Sequence, residues 1–169
     1  MQTAENTGVG KDRDPALFRL IRVIVKQIFP KYELVGTENL PDEPCVIVGN
    51  HAQAYGVVGA ELYPPRLHYI WCIGEVLNRK ELPAYVMKDF WYMKPKAVRW
   101  LYRLFSHLIA GPLSYVLSHS HTIAVYHDAR IVSTFRRSME LLKAGADIVI
   151  FPESREPYNG LIWKFHEHF

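Results

Sequence analysis

This 169-residue chain has two cysteines, no uninterrupted apolar run of membrane-spanning length and a net charge of only +3. Each of these scarcities removes a class of function. Cys45 and Cys72 sit in separate apolar, strand-like stretches and fit neither a zinc pattern nor a disulfide framework. They read as buried thiols of a reducing cytosol. No stretch approaches the ~18 consecutive apolar residues that cross a bilayer, and residues 1–14 lack the apolar core of a signal peptide. A charge of +3 is too small to argue for nucleic acid, and no basic run with interleaved aromatics supplies a stripe for it. Ser154 lies outside any G-x-S-x-G elbow, which disfavours a serine hydrolase. Gly56 and Gly59 are too sparse to cradle a phosphate. His119/His121 and His166/His168 are spaced H-x-H, which in a strand puts both rings on one face. No cysteine or carboxylate pattern completes a site, so no metal is expected.

What is present suffices for one domain with a substantial core: 49% of the residues are hydrophobic and 13% aromatic. Residues 1–14 read as a flexible polar lead-in and residues 15–169 as a single domain. The pattern predicts a helix over Pro15–Phe29, with Asp14 as N-cap and Pro15 at the first helical position. Strands are predicted at Tyr32–Gly36, Cys45–Gly49, His68–Ile73, His121–Tyr126 and Asp147–Phe151. Helices are predicted at Val57–Leu62, Leu82–Tyr92, Val98–Leu117 (broken or kinked at Gly111-Pro112) and Ala129–Ala144, closed by Gly145. Strands alternating with helices mean an α/β layered domain with a largely parallel sheet flanked by helices.

Two segments suit a membrane surface as well as a core. In the first helix Leu17, Leu20, Ile21, Ile24 and Ile28 share one face, while Arg19, Arg22 and Lys26 recur on another. Such a basic amphipathic helix can lie in a bilayer interface or pack on the domain with its basic face solvated. From Trp91 to Leu117, Trp91, Tyr92, Trp100, Tyr102, Phe105 and Tyr115 accompany Lys94, Lys96, Arg99 and Arg103. Aromatic rings and basic residues together favour the interface and its phosphates, although a core helix with an amphipathic exterior looks similar.

Two short segments can carry chemistry. His51 follows Val46-Ile47-Val48-Gly49-Asn50, at the carboxyl end of a strand, where parallel sheets gather ligands. A neutral imidazole there suits general-base work on a hydroxyl, against the plainer reading of a capping or buried histidine. About a hundred residues later Glu153 and Arg155 follow Ile148-Val149-Ile150-Phe151-Pro152. Arginine offers a planar fork matched to phosphate oxygens, and glutamate can accept hydrogen bonds from a polyol or pair with the arginine as a surface ion pair.

In this order the segments resemble the glycerolipid acyltransferases, typified by lysophosphatidate (1-acylglycerol-3-phosphate) acyltransferase. That family carries N-H-x-x-x-x-D after an early strand and F-P-E-G-T-R-S after a later one. Here they read Asn50-His51-Ala52-Gln53-Ala54-Tyr55-Gly56 and Phe151-Pro152-Glu153-Ser154-Arg155. Between them, Thr122-Ile123-Ala124-Val125-Tyr126-His127-Asp128 looks like the family's strand that ends in an arginine-containing turn. The resemblance covers roughly residues 30 to 160. It implies an acyltransferase of phospholipid synthesis, peripheral on the cytoplasmic face of a membrane, with a thioester of coenzyme A or acyl carrier protein as donor and no cofactor. A glycerol phosphate or lysophospholipid would be the acceptor. His51 would be the base, Asn50 its local support, Glu153 and Arg155 the acceptor seat and His127 a phosphate contact.

The departures carry a second implication. Gly56 stands where the family places the aspartate that orients the histidine; Asp128, Glu61 or a backbone carbonyl are candidate replacements. Arg155 comes two residues after Glu153 rather than three, and His127 stands where an arginine is expected. The chain stops at Phe169 before the family's further V-P-V-like strand, so a domain truncated at its C-terminus is expected. The alternative reading is a catalytically inactive relative that keeps the fold and binds lipid or phosphate.

Overall fold

The computed structural model describes residues 15–51, 54–89, 91 and 95–153. Runs of β-branched residues such as Val46-Ile47-Val48 and Ile148-Val149-Ile150 favour extended backbone, the second largely buried in the sheet and the first with Val46 and Val48 exposed on one face. They form β1 (Val46–Val48) and β4 (Asp147–Ile150), which join β2 (His68–Ile73) and β3 (Thr122–Val125) in one sheet. The order is β1-β4-β2-β3 and every pairing is parallel. The described helices are α1 (Ala16–Ile28), α2 (Ala54–Leu62), α3 (Gly74–Leu77), α4 (Leu82–Asp89), α5 (Arg99–His119) and α6 (Ile131–Lys143). The α/β architecture with a parallel sheet is therefore as expected.

One core lies between the sheet and α6, where Ile123, Leu141, Ala146 and Ile148 are buried together with Tyr69, Trp71 and Ile150 beside them. The Trp71 indole satisfies its N–H on Ser138 Oγ at 2.9 Å. A second core joins Leu82 and Val86 of α4 to Ala110 of α5, with Trp91 and Leu113 against it. Gly145 ends α6 in the left-handed conformation, φ 94°. Its N–H and that of Ala146 bond back to the carbonyls of Leu142 and Leu141, the pattern only a residue free of Cβ strain makes cheaply.

At the amino ends of the strands a charge is buried. Asp147 is 1% exposed, and burial alone would raise its carboxyl; hydrogen bonds from Arg66 and from the Cys45 N–H overcome that and hold it below the usual carboxylate range. Every nitrogen of the Arg66 fork is engaged, on Asp147, on the carbonyls of Pro41, Asp42 and Glu43, and on Cys45 Sγ. The clamp ties the 41–45 loop to the start of the sheet.

Several expectations need correction. Tyr32–Gly36 is not a strand: Leu34 and Val35 are exposed and Gly36 turns left-handed, φ 82°, into a 3-10 turn at Thr37–Asn39. The described sheet therefore has four strands rather than five. The helix around Gly111-Pro112 is not broken but runs unbroken from Arg99 to His119. Pro112 sits on the exposed side, so the Leu108 carbonyl that loses its partner lies on the outer surface. Pro15 is the N-cap of α1 rather than its first helical residue, and Asp14 lies outside the described residues. The helix expected over Leu82–Tyr92 ends at Asp89, with Tyr92 outside them too.

Candidate active site

Two motifs far apart in sequence become neighbours because β1 pairs with β4 in parallel, Val46 opposite Ile148 and Val48 opposite Ile150. The chain segments leaving the two strands therefore emerge side by side at the carboxyl edge. The backbone N–H of His51 donates to Glu153 Oε2 at 3.0 Å across that edge. His51 and Asn50 are exposed and Glu153 is half-buried. A base reached from outside and a carboxylate fixed beside it fit work on a substrate that arrives from solvent or from a surface.

Phe151, which sequence reasoning treated only as the start of a motif, organises this corner. Its ring lies edge-on to His51, centroids 5.8 Å apart. A Cβ at Gly49 would stand 2.9 Å from the same ring, and one at Gly56 would stand 3.2 Å from it. Both glycines thus make room for the ring that walls the imidazole. Gly56 is crowded further: a Cβ there would stand 2.8 Å from both the Asn50 and the His51 carbonyl oxygens. Position 56 cannot carry the aspartate of the family pattern unless the backbone of Asn50-His51 moves.

Of the candidate replacements for that aspartate, Asp128 is engaged elsewhere. Asp128 is held by Arg130, whose Nη2 lies 2.7 Å from Oδ2 and whose backbone N–H bonds to Oδ1 at 2.9 Å. The side-chain hydrogen bond from Arg130, ahead of the backbone one, lowers the Asp128 carboxyl to about 2. Glu61 is near the far end of α2, about 10 Å of helix rise from its start, where its carbonyl receives Arg22 Nη2 at 3.0 Å.

The rest of the carboxyl edge follows from register. Carried past the ends of the ladders, it sets His51 level with Glu153, Glu153 with Gly74 and Gly74 with Tyr126. Gly74 is required at its place, since a Cβ would lie 2.1 Å from the Tyr126 ring. The Arg130 guanidinium carbon covers that ring 3.8 Å from its centroid. His127, exposed and one residue on, is three strand spacings from His51, ~14 Å at the usual spacing. It shares the edge with His51 and Glu153 but is not grouped with them. Glu75, which no motif flagged, adds a carboxylate along this row. Its Oε2 is buried with no hydrogen-bond partner among the described residues.

Arg155 lies outside the described residues, as do His166 and His168. His119 and His121 do not share a strand face: the first ends α5 with its ring 4.2 Å from Tyr115, and the second lies in the following turn, 5.3 Å from Tyr69. Among the described residues no group of three His, Cys, Asp or Glu side chains is placed to hold a metal ion. A surface depression of about 460 Å³ between Leu34, Leu40, Pro41 and Arg66 opens at the opposite, amino-terminal end and belongs to the clamp rather than to this site. Compared with protein-family models, curated proteins and solved structures, the chain matches none.

Proposed function

We propose that this protein transfers an acyl group from a thioester of coenzyme A or acyl carrier protein to a hydroxyl of a glycerol-phosphate-type acceptor, with His51 as general base. One observation carries the reading: the Asn50-His51 and Phe151-Pro152-Glu153 segments lie against each other, joined from the His51 N–H to Glu153. A histidine and a glutamate brought together from two strands are what the resemblance requires. In the reaction the imidazole takes the acceptor's hydroxyl proton as the oxygen attacks the thioester carbonyl. The tetrahedral adduct collapses with loss of the thiol, which leaves with the proton returned by the imidazolium. No acyl-enzyme forms. A general base of this kind contributes about 10²–10⁴-fold. Glu153 holds the His51 backbone and faces the polyol, and Arg155 supplies the phosphate contact; His127, about 14 Å along the edge, is not part of that seat.

A second reading, a lipid- or phosphate-binding relative without turnover, is favoured by Gly56. The missing carboxylate orients the histidine in the family pattern, and loss of a comparable group in a serine protease costs about 10⁴ in turnover. Both readings are tested by thiol release from acyl-coenzyme A in the presence of lysophosphatidate or glycerol 3-phosphate, wild type against His51→Ala. Acceptor-dependent release that disappears in the variant supports the enzyme. Equal release from the two folded proteins refutes it, and saturable binding of the acceptor without release establishes the second reading.

A further inference from the structure

The helices α1 and α5 wear their hydrophobic faces outward. In α1 the single buried residue is Phe18, while Leu17, Leu20, Ile24 and Ile28 form an exposed stripe, Ile28 at 77%. In the first half of α5, Ser106 and Ala110 face inward. On the opposite side Trp100, Leu101, Leu104, Phe105 and Leu108 are exposed, Trp100 at 69% and Leu108 at 68%. A helix packed for solubility shows the reverse order, and two such stripes on one small protein mark a docking surface. The helices touch, since the Phe18 ring packs against His119 at the end of α5, centroids 6.0 Å apart.

Charge identifies the occupant. Neither helix contains an aspartate or glutamate. Arg19 and Lys26 are exposed along one flank of the α1 stripe, and Lys96, Arg99 and Arg103 are exposed around the start of α5. Apolar side chains whose charged companions within these two helices are all cations fit a surface that is apolar beneath and anionic on top. A second copy of the same face would set cation against cation. Among the described residues no helix is long and apolar enough to cross a membrane, so the geometry is that of helices lying in the interface plane. We infer that α1 and the first half of α5 dock this protein on a bilayer containing anionic lipids. Trp91 and Tyr102 are not part of that face: their rings meet at 5.0 Å, with Trp91 against the core between α4 and α5. The inference goes beyond acyl transfer and holds whether or not the site turns over.

The test is flotation of the full chain with phosphatidylcholine vesicles, with and without phosphatidylglycerol. The wild type is expected to float with the anionic vesicles and to be released by salt, as screening demands. Leu104→Asp/Leu108→Asp should reduce the bound fraction by more than about tenfold, since each leucine forfeits its burial. Should that double variant misfold by circular dichroism, Arg19→Glu and Arg103→Glu keep the test open. These exposed changes should each weaken binding by at least about fivefold. Wild type that stays unbound, or folded variants that float as well as wild type, would overturn the inference. So would a dimer, seen by light scattering, that the leucine variant dissolves without any vesicle binding.

Discussion

Alanine in place of Gly56 tests the geometry of the site through the sign of its effect. Gly56 lies in α2, and glycine in a helix costs ~1 kcal/mol relative to alanine, so Gly56→Ala in an open helix would stabilise the protein. Here the new Cβ meets two backbone oxygens at 2.8 Å and the Phe151 ring at 3.2 Å. Forcing a methyl group into packed surroundings costs about 1–3 kcal/mol. The Asn50 and His51 carbonyls are main chain and cannot swing aside as a side chain can. The crowding should therefore outweigh the propensity gain and leave a net loss of up to about 2 kcal/mol. For a chain of this length that is a fall of up to roughly 8 °C in Tm, read by thermal unfolding and checked by urea midpoints. Gly56→Asp should lose at least as much, because its carboxylate is added beside the same two oxygens. It should not raise thiol release, although it rewrites the family's motif. Stabilisation by alanine, or a gain of turnover with aspartate, would refute the packing described around His51.

Glu153→Ala removes the acceptor of the His51 N–H and should lower turnover by about five- to tenfold, the worth of a partly exposed charge-assisted hydrogen bond. Glu153→Gln keeps an oxygen for that N–H and should retain most of the rate; equal losses in steady-state assays would refute the hydrogen-bond role. For Asp147, whose carboxyl is held below its ordinary 3.8 in the fold, the stabilising contribution is complete above that value and lost as the pH falls through the lower folded one. Urea titrations from neutral pH into acid should accordingly show Asp147→Asn less stable at neutrality, with a flatter acid limb. His68 is buried, and burial, reinforced by nearby His121, lowers its pKa below 6.5 despite the Arg66 carbonyl. The unfolded chain then binds the proton more readily, so stability should decline as the pH drops below about 6.5. His68→Gln should flatten that decline in the same titration.

How much of this was legible in the sequence differs by element. His68–Ile73 is found with both bounds as expected, an apolar run that forms a central strand. The β-branched runs before His51 and Glu153 announced their strands, but their adjacency is written in neither motif; it arises from the placing of β4 between β1 and β2. Tyr32–Gly36 looks like a strand from its apolar residues, yet none of the described strands pairs with it and Tyr32 is drawn instead to α2, its hydroxyl on the Tyr55 carbonyl at 2.9 Å. The clamp at Asp147 could not be seen because Arg66 is 81 positions away. Periodicity located the apolar stripe of α1 without telling which side faces the core. In α1 the core takes only Phe18, a residue outside the expected stripe.

The strand order also dictates a history. Among the described strands β1 bonds only to β4, and β4 separates it from β2. Until residues 147–150 are available, β1 has no partner and the edge that carries His51 has nothing to stand beside. A growing chain emerging from the ribosome can assemble β2 with β3 early, but the corner of His51 and Glu153 waits for β4. Pairings at such long range are slow to close and leave apolar strands unpaired in the interval. The interval is when this chain should depend most on chaperones, and pulse-labelled nascent chains halted before β4 should be the ones they hold.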